Sequence, residues 1–318
     1  MSLLSLLIAL AAEKSLSSSF WRFDHYYQKY AHFFQNNILL SKLKDSTFSY
    51  TLFLLLPVAV VYAILSLAGD GLLHFILSTL VLIVCFGCFT TRSSYKQYLQ
   101  AANQGEETTS KLHHLQLLQD KNLPSMGFGQ ALIWLNYRYY IAIMLFFTIF
   151  GATGVIFYRL LTTVIEQQND WSLGHNEKDS ENTSSDNDNS NKIELQPNGE
   201  QNTLTEDEKQ VMPSASSGSK NYHDILFFLD WLPVRITTFG YMFVGHFSKA
   251  LPIWLESFFD AKKPIHKILS DVAQKSEDIL VDKNDCTEEP CLLVRLSKRN
   301  VLLLLASIAA LTLFGVVR

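Results

Sequence analysis

What this chain of 318 residues has little of narrows its class before any motif does. It has no excess of basic charge, with 26 Lys and Arg against 30 Asp and Glu and a net charge of −4, so no nucleic-acid partner is implied. Four cysteines are too few for a disulfide framework; Cys85 and Cys88 sit inside an apolar run, where they read as small apolar side chains. No phosphate-binding GxxxxGK[ST] loop, GxGxxG turn, HExxH zinc motif or GxSxG elbow occurs, which removes the commonest soluble-enzyme chemistries, and no cofactor is indicated. The absence that matters most is local. Thr51 to Ala68, Leu72 to Thr90 and Val301 to Val317 contain no Asp, Glu, Lys or Arg. Runs near 20 apolar residues are what a hydrocarbon core of roughly 30 Å requires of a helix.

A fourth run, Ile141 to Tyr158, is bracketed by Arg138 and Arg159, whose guanidinium groups are expected to snorkel toward the two interfaces. Ser2 to Ala12 reads as a retained first helix, too short to cross unless it continues into Glu13. The aromatic stretch Ile225 to Phe259 is long but carries Asp230, Arg235, His246, Lys249 and Glu256, charges that in lipid must face protein, water or an interface.

The fold class is therefore all-α: a polytopic helical membrane protein with a cytoplasmic helical hairpin and a disordered acidic loop. Residues 1–165 form an N-terminal membrane region, with the hairpin at about 92–130. Residues 166–222 form the acidic linker, whose Asn, Ser, Asp and Glu cannot bury enough apolar area to offset the entropy of ordering. Residues 223–318 form a C-terminal membrane region. Lys and Arg gather before Thr51, over 92–121 and over 262–299, which places those stretches inside. With Ile141 to Tyr158 taken as one crossing, residues 166–222 fall outside and the chain must cross back between Ile225 and Phe259.

Two clusters stand out as candidate ligand-binding positions. Asn136-Tyr137-Arg138-Tyr139-Tyr140 lies at the mouth of a span, where an aromatic interfacial belt and a polar cavity lining are both consistent with the residues. Asp230-Trp231-Leu232-Pro233-Val234-Arg235, followed by His246 and Lys249, places opposite charges on either side of a proline that is expected to break the helix ladder. An ion pair between Asp230 and Arg235, with Arg138 in the same polar cavity, is the sequence expectation. The candidate binding set is thus Asn136, Arg138, Asp230, Arg235, His246 and Lys249, with no catalytic residue and no metal ligand assigned.

At these clusters the sequence resembles the AmpE family of bacterial inner-membrane proteins. The segments that carry the resemblance are ALIWLNYRYYIA from Ala131, LDWLPVRI from Leu229, VGHFSKALPIWLESF from Val244 and Trp21-Arg22-Phe23-Asp24-His25. The resemblance implies a multi-pass protein of the bacterial cell inner membrane that modulates the response to β-lactam antibiotics and cell-wall damage, linked to the amidase AmpD and to β-lactamase induction. The family is also distantly similar to the CobD/CbiB cobalamin-pathway synthases; Gly151, Tyr158-Arg159 and Pro233-x-Arg235 are the shared traces. That second likeness implies an alternative, a membrane enzyme or carrier for a nucleotide- or peptidoglycan-derived ligand. The partners expected are the lipid bilayer and an unidentified small ligand or partner membrane protein.

Because the acidic linker has little to bury and loop closure changes by only about 0.6 kcal/mol per doubling of length, deleting residues 175–215 is expected to leave membrane accumulation and melting temperature unchanged. Loss of the protein from the membrane fraction, read by immunoblot, would contradict the linker reading.

Overall fold

A computed structural model describes residues 2–15, 21–36, 47–69, 71–87, 89–181, 218–259, 263–277 and 287–315. Regular structure among them is entirely helical. Most of the expected acidic linker, 182–217, lies outside the described residues, and so do Cys88 and Cys286.

The first helix, α1 (Ser2–Ser15), does continue past Glu13. It can do so because the Glu13 carboxylate is met on both sides, by Arg92 at 2.9 Å and by the Tyr140 hydroxyl at 2.8 Å. A buried charge is tolerated when it is paired and hydrogen-bonded. Helix α2 (Phe23–Asn36) is amphipathic and stacks Tyr27, Tyr30 and Phe34 around Phe53. Phe53 belongs to α3 (Thr47–Leu67), an apolar helix that turns through Gly69, at φ 59°, toward α4 (Leu72–Cys85).

The apolar run from Leu72 to Thr90 is not one helix. It stops at Cys85, where Phe86 is extended and Gly87 takes φ 153°. The chain then resumes as α5 (Phe89–Asn103), and the two parts are bent by 41°. Helices α5 and α6 (Glu107–Asp120) form the expected hairpin, turning at Gly105 with φ 76°. Its inner face holds Tyr98, stacked at 3.8 Å on Phe128, together with Leu117 and Leu118.

Phe128 opens α7 (Phe128–Asn136), which widens into one π-helical turn, Tyr137–Ile141, before α8 (Ala142–Glu181). By length and composition Phe128–Glu166 passes as a membrane span. Its interior geometry overturns the expectation of a single crossing. Tyr139 and Glu166 are 27 residues apart, about 40 Å along an uninterrupted helix, yet the Tyr139 hydroxyl lies 3.2 Å from both carboxylate oxygens. Phe146 stacks on Tyr158 at 4.5 Å. The chain therefore folds back, and the reversal sits at Gly151, whose φ 67° and ψ −162° fall in a region open almost only to glycine. Ile149 and Phe150 at the tip are exposed, while Ile143, Met144 and Val155 in the arms are fully buried. Arg138 and Arg159 consequently sit side by side rather than at opposite interfaces. Glu166 returns to the α5–α6 hairpin, its carbonyl accepting from Asn122 at 3.2 Å. The segment thus carries no net crossing, which removes the basis for placing residue 166 onward outside and the need for 225–259 to cross back.

Beyond Glu166 the helix persists to Glu181. Extending a formed helix adds a hydrogen bond for each residue fixed, whereas starting one does not. The next element, α9 (Gly218–Val244), runs through Pro233 without a break, contrary to the sequence expectation. Helices α10 (Phe247–Phe259), α11 (Ile265–Glu277) and α12 (Glu288–Leu313) complete the chain, with α9 packed against α8, α11 and α12. Gly245 lets α9 approach the end of α11, since a Cβ there would lie 2.5 Å from the Ser276 carbonyl oxygen. Among the described residues, and by length and composition alone, Glu288–Leu313 passes as a membrane span alongside the folded-back Phe128–Glu166, with the bent Leu72–Asn103 pair a third if it counts as one.

The hairpin and a straight helix predict opposite signs for one substitution. In a straight helix Gly151→Ala would stabilise by roughly 1 kcal/mol; at the observed dihedrals it is expected to destabilise by about 1–3 kcal/mol. A thermal-melt comparison in detergent separates them, and a raised melting temperature refutes the hairpin.

Candidate functional site

The fold-back brings together a buried polar cluster at the base of the hairpin. A π-turn is a helix with one residue inserted, and such turns concentrate at functional sites. Here it presents three consecutive side chains, Tyr137, Arg138 and Tyr139, to protein on every side, and all three are buried. The cluster has two halves. In one, the Asp230 carboxylate, 1% exposed, accepts hydrogen bonds from Tyr137 at 2.7 Å and Tyr158 at 3.0 Å, one phenol from each arm and both on the same oxygen. In the other, Glu166 receives Arg138 Nε at 3.4 Å and the Tyr139 hydroxyl at 3.2 Å, while Lys121 donates to Tyr139 at 3.1 Å.

Arg159 completes the arrangement. Its guanidinium lies 4.4 Å from the centroid of the Tyr139 ring and 3.7 Å from Asp24 on α2. Arg138 lies over Trp134 at 5.4 Å. Among the described residues, Nη2 of Arg138 and Nε and Nη1 of Arg159 are buried without a hydrogen-bond partner, and Nε of Arg138 has only the 3.4 Å ion pair to Glu166. Such donors are costly to leave unsatisfied, and in a low dielectric they attract anionic groups strongly. The cluster joins α2, both arms of the hairpin, the α6–α7 connection and α9.

The sequence candidates do not come together in one place. Arg138 and Asp230 belong to this cluster, while Asn136, in the preceding turn, lines a separate groove, its Oδ1 buried and without a hydrogen-bond partner. Arg235, His246 and Lys249 do not reach it. Arg235 is turned toward α10, donating to the Ser257 carbonyl at 2.8 Å and stacking on Trp231 at 5.6 Å. The His246 ring meets the Ser276 carbonyl at 3.0 Å, and Lys249 is exposed on α10. The expected Asp230–Arg235 pair is therefore replaced by Asp230–tyrosine bonds. Five helical positions turn the side chain by about 140°, so an unbroken α9 places the two on different faces.

Sequence reasoning missed Tyr158, Arg159, Glu166, Lys121 and Asp24. Tyr158-Arg159 had a signal as one of the traces shared with the cobalamin-pathway synthases. Glu166 had none, because its proximity to Arg138 depends on the reversal at Gly151. No group of three or more His, Cys, Asp and Glu residues able to hold a metal occurs among the described residues.

An all-helical membrane protein with a buried ionic and phenolic cluster at the foot of a fold-back hairpin is the class these features define. The chain belongs to the AmpE family: the family model described as "Regulatory signalling modulator protein AmpE" matches residues 1–184 and 201–318. It is similar to Protein AmpE of Shigella flexneri, with 36% identity over 93 residues, covering 29% of this chain and 32% of that protein. The match thus spans about a third of the length of that relative. No solved structure matches the chain.

The pairing within the cluster is testable by double-mutant cycles on thermal stability. Tyr137→Phe and Asp230→Asn should each destabilise by about 1–3 kcal/mol, the first because it removes one of the two donors to a buried carboxylate, the second because it replaces the carboxylate with a weaker acceptor and a buried N–H group that has no acceptor. Combined, they should fall short of additivity, since residues in direct contact couple by about 0.5–3 kcal/mol. Asp230→Asn with Arg235→Gln is expected to be additive. Coupling in the second cycle and additivity in the first would reinstate the Asp230–Arg235 pair.

Proposed function

We propose that the chain is a multi-pass protein of the bacterial inner membrane that modulates signalling in response to β-lactam antibiotics and cell-wall damage, acting on β-lactamase induction. The observation that carries this reading is the family match, which extends over nearly the whole chain, so the regulatory description attaches to the assembly and not to one module. The curated relative contributes only its name, Protein AmpE, over the stretch it shares.

The cluster suits a modulator. Transmitting a signal requires an element with two arrangements whose balance a ligand or partner biases. Interdigitated apolar contacts shift little by little at high cost, whereas a network of charges and phenols changes partners discretely. Tyr137 and Tyr158 clip the two arms to Asp230, and Arg138 with Tyr139 clips the first arm to Glu166. Both clips sit where α9 and the α5–α6 hairpin meet the arms, so exchanging partners there moves several helices at once. The buried guanidinium N–H groups offer an incoming anionic group a place to compete for these contacts.

In a strain lacking the chromosomal copy, the unaltered chain should restore β-lactam-induced β-lactamase expression to its normal level. Asp230→Asn, checked for membrane accumulation, should leave that response constitutively raised or lost. Induction that is the same with the chain, without it and with the variant would end the β-lactam reading.

A further inference from the structure

Away from the polar cluster, α1, α5, α7 and α12 enclose a groove of about 780 Å³. That is within the range of roughly 300–1,000 Å³ typical of ligand sites. Its wall is unlike the cluster's. Leu7, Leu10, Leu132, Leu302 and Leu305 make it overwhelmingly apolar, and Leu302 is 64% exposed, so the groove opens through the side of α12, one of the helices long enough to cross a membrane. The charged residues do not intersperse with the leucines. On α12 the lining runs Val294, Ser297, Lys298, Val301, Leu302 and Leu305, so both of its leucines follow Lys298; on α5 the basic residues are Arg92 and Lys96.

The three cations are not equivalent. Arg92 is neutralised by Glu13, which holds it with a 2.9 Å ion pair and a 3.1 Å bond to the Glu13 carbonyl. Lys96 and Lys298 are exposed, and among the described residues neither has an acidic partner. Two uncompensated lysines on different helices therefore line the same apolar trough. A further polar group of the lining, Asn136, has its Oδ1 buried with no hydrogen-bond partner. A soluble anion would gain nothing from the leucines, and an apolar peptide would leave the lysines and the amide unanswered. Basic pockets between membrane helices on the side rich in Lys and Arg are where anionic headgroups bind, and Arg92, Lys96 and Lys298 all fall in stretches that the charge distribution places inside.

We propose that this groove binds a membrane lipid with an anionic phosphate headgroup, its acyl chain against Leu302 and Leu305, its phosphate at Lys96 and Lys298. The Asn136 Oδ1 accepts a hydrogen bond from a hydroxyl of the headgroup. Because Asn136 leads directly into the π-turn, the lipid abuts the element that carries Arg138, and lipid occupancy would bias the packing of the hairpin. Binding itself is independent of whether the chain acts in β-lactamase induction, so the two fail separately.

The full chain, reconstituted in nanodiscs of equal phosphatidylglycerol and phosphatidylcholine, is released and its retained lipid is read by native mass spectrometry. The anionic lipid should be retained over the zwitterionic one by roughly thirtyfold, the order expected of two lysines at one phosphate. The Lys96→Gln, Lys298→Gln double variant should lose the preference while keeping its melting temperature, both side chains being exposed. Leu305→Trp, which fills the apolar end, should lower retention of both lipids, and it tests the site by itself should the double variant fail to accumulate. Inorganic phosphate should not displace the lipid. Equal retention of the two lipids by the unaltered chain overturns the proposal, as do a preference that survives the double variant, retention unaffected by Leu305→Trp, and displacement by inorganic phosphate, which would mark a free-anion site.

Discussion

The hydrogen bonds from Tyr137 and Tyr158 to one oxygen of Asp230 are the contact on which the rest of this structure rests. An isolated buried carboxylate is penalised heavily, and a phenol from each arm of the hairpin answers it. That requirement forces the arms together. The reversal at Gly151 follows, and with it the burial of Ile143, Met144 and Val155 between the arms and their neighbours.

Charge placement elsewhere obeys the same economy. Glu13 at the end of the first apolar helix is held by Arg92 and Tyr140; Glu166, where the second arm returns, is held by Arg138 and Tyr139. Each acid draws partners from helices distant in sequence, so the ionic contacts act as fasteners between apolar helices that lipid alone would not hold in register. Packing in lipid gains little from hydrophobicity, since the surrounding solvent is as apolar as the helices themselves. Polar contacts and close approaches, such as Gly245 on the Ser276 carbonyl, then fix the arrangement.

The π-turn links two surfaces that otherwise have nothing in common. Its buried side chains, Tyr137 to Tyr139, build the ionic cluster, while Asn136 before it and Tyr140 within it line the apolar groove. Tyr140 also bonds Glu13, the partner of Arg92 at the groove's basic end. One irregular turn thus couples the lateral, lipid-facing side of the molecule to its interior.

Composition and periodicity alone determined that the chain is helical and lipophilic, that a helical hairpin follows the second apolar run, and that the segments around Arg138 and Asp230 hold its unusual chemistry; the structure bounds that hairpin at Phe89–Asp120 and gives 128–130 to the next helix. These are local properties: a charge-free run, a glycine between two helix-forming stretches, an ionisable residue among aromatics. The AmpE resemblance was also legible there, because its motifs are contiguous. Tertiary structure alone decided which of those residues meet. Arg138 and Arg159 read as opposite ends of one span because nothing in IFGATG distinguishes a glycine within a straight helix from one at φ 67°. Asp230 and Arg235 read as a pair because they are near in sequence and opposite in charge, whereas an unbroken helix turns them apart and gives Asp230 to two tyrosines more than 70 positions away. Sequence spacing measures distance along the chain, and a buried charge selects its partner by distance through space.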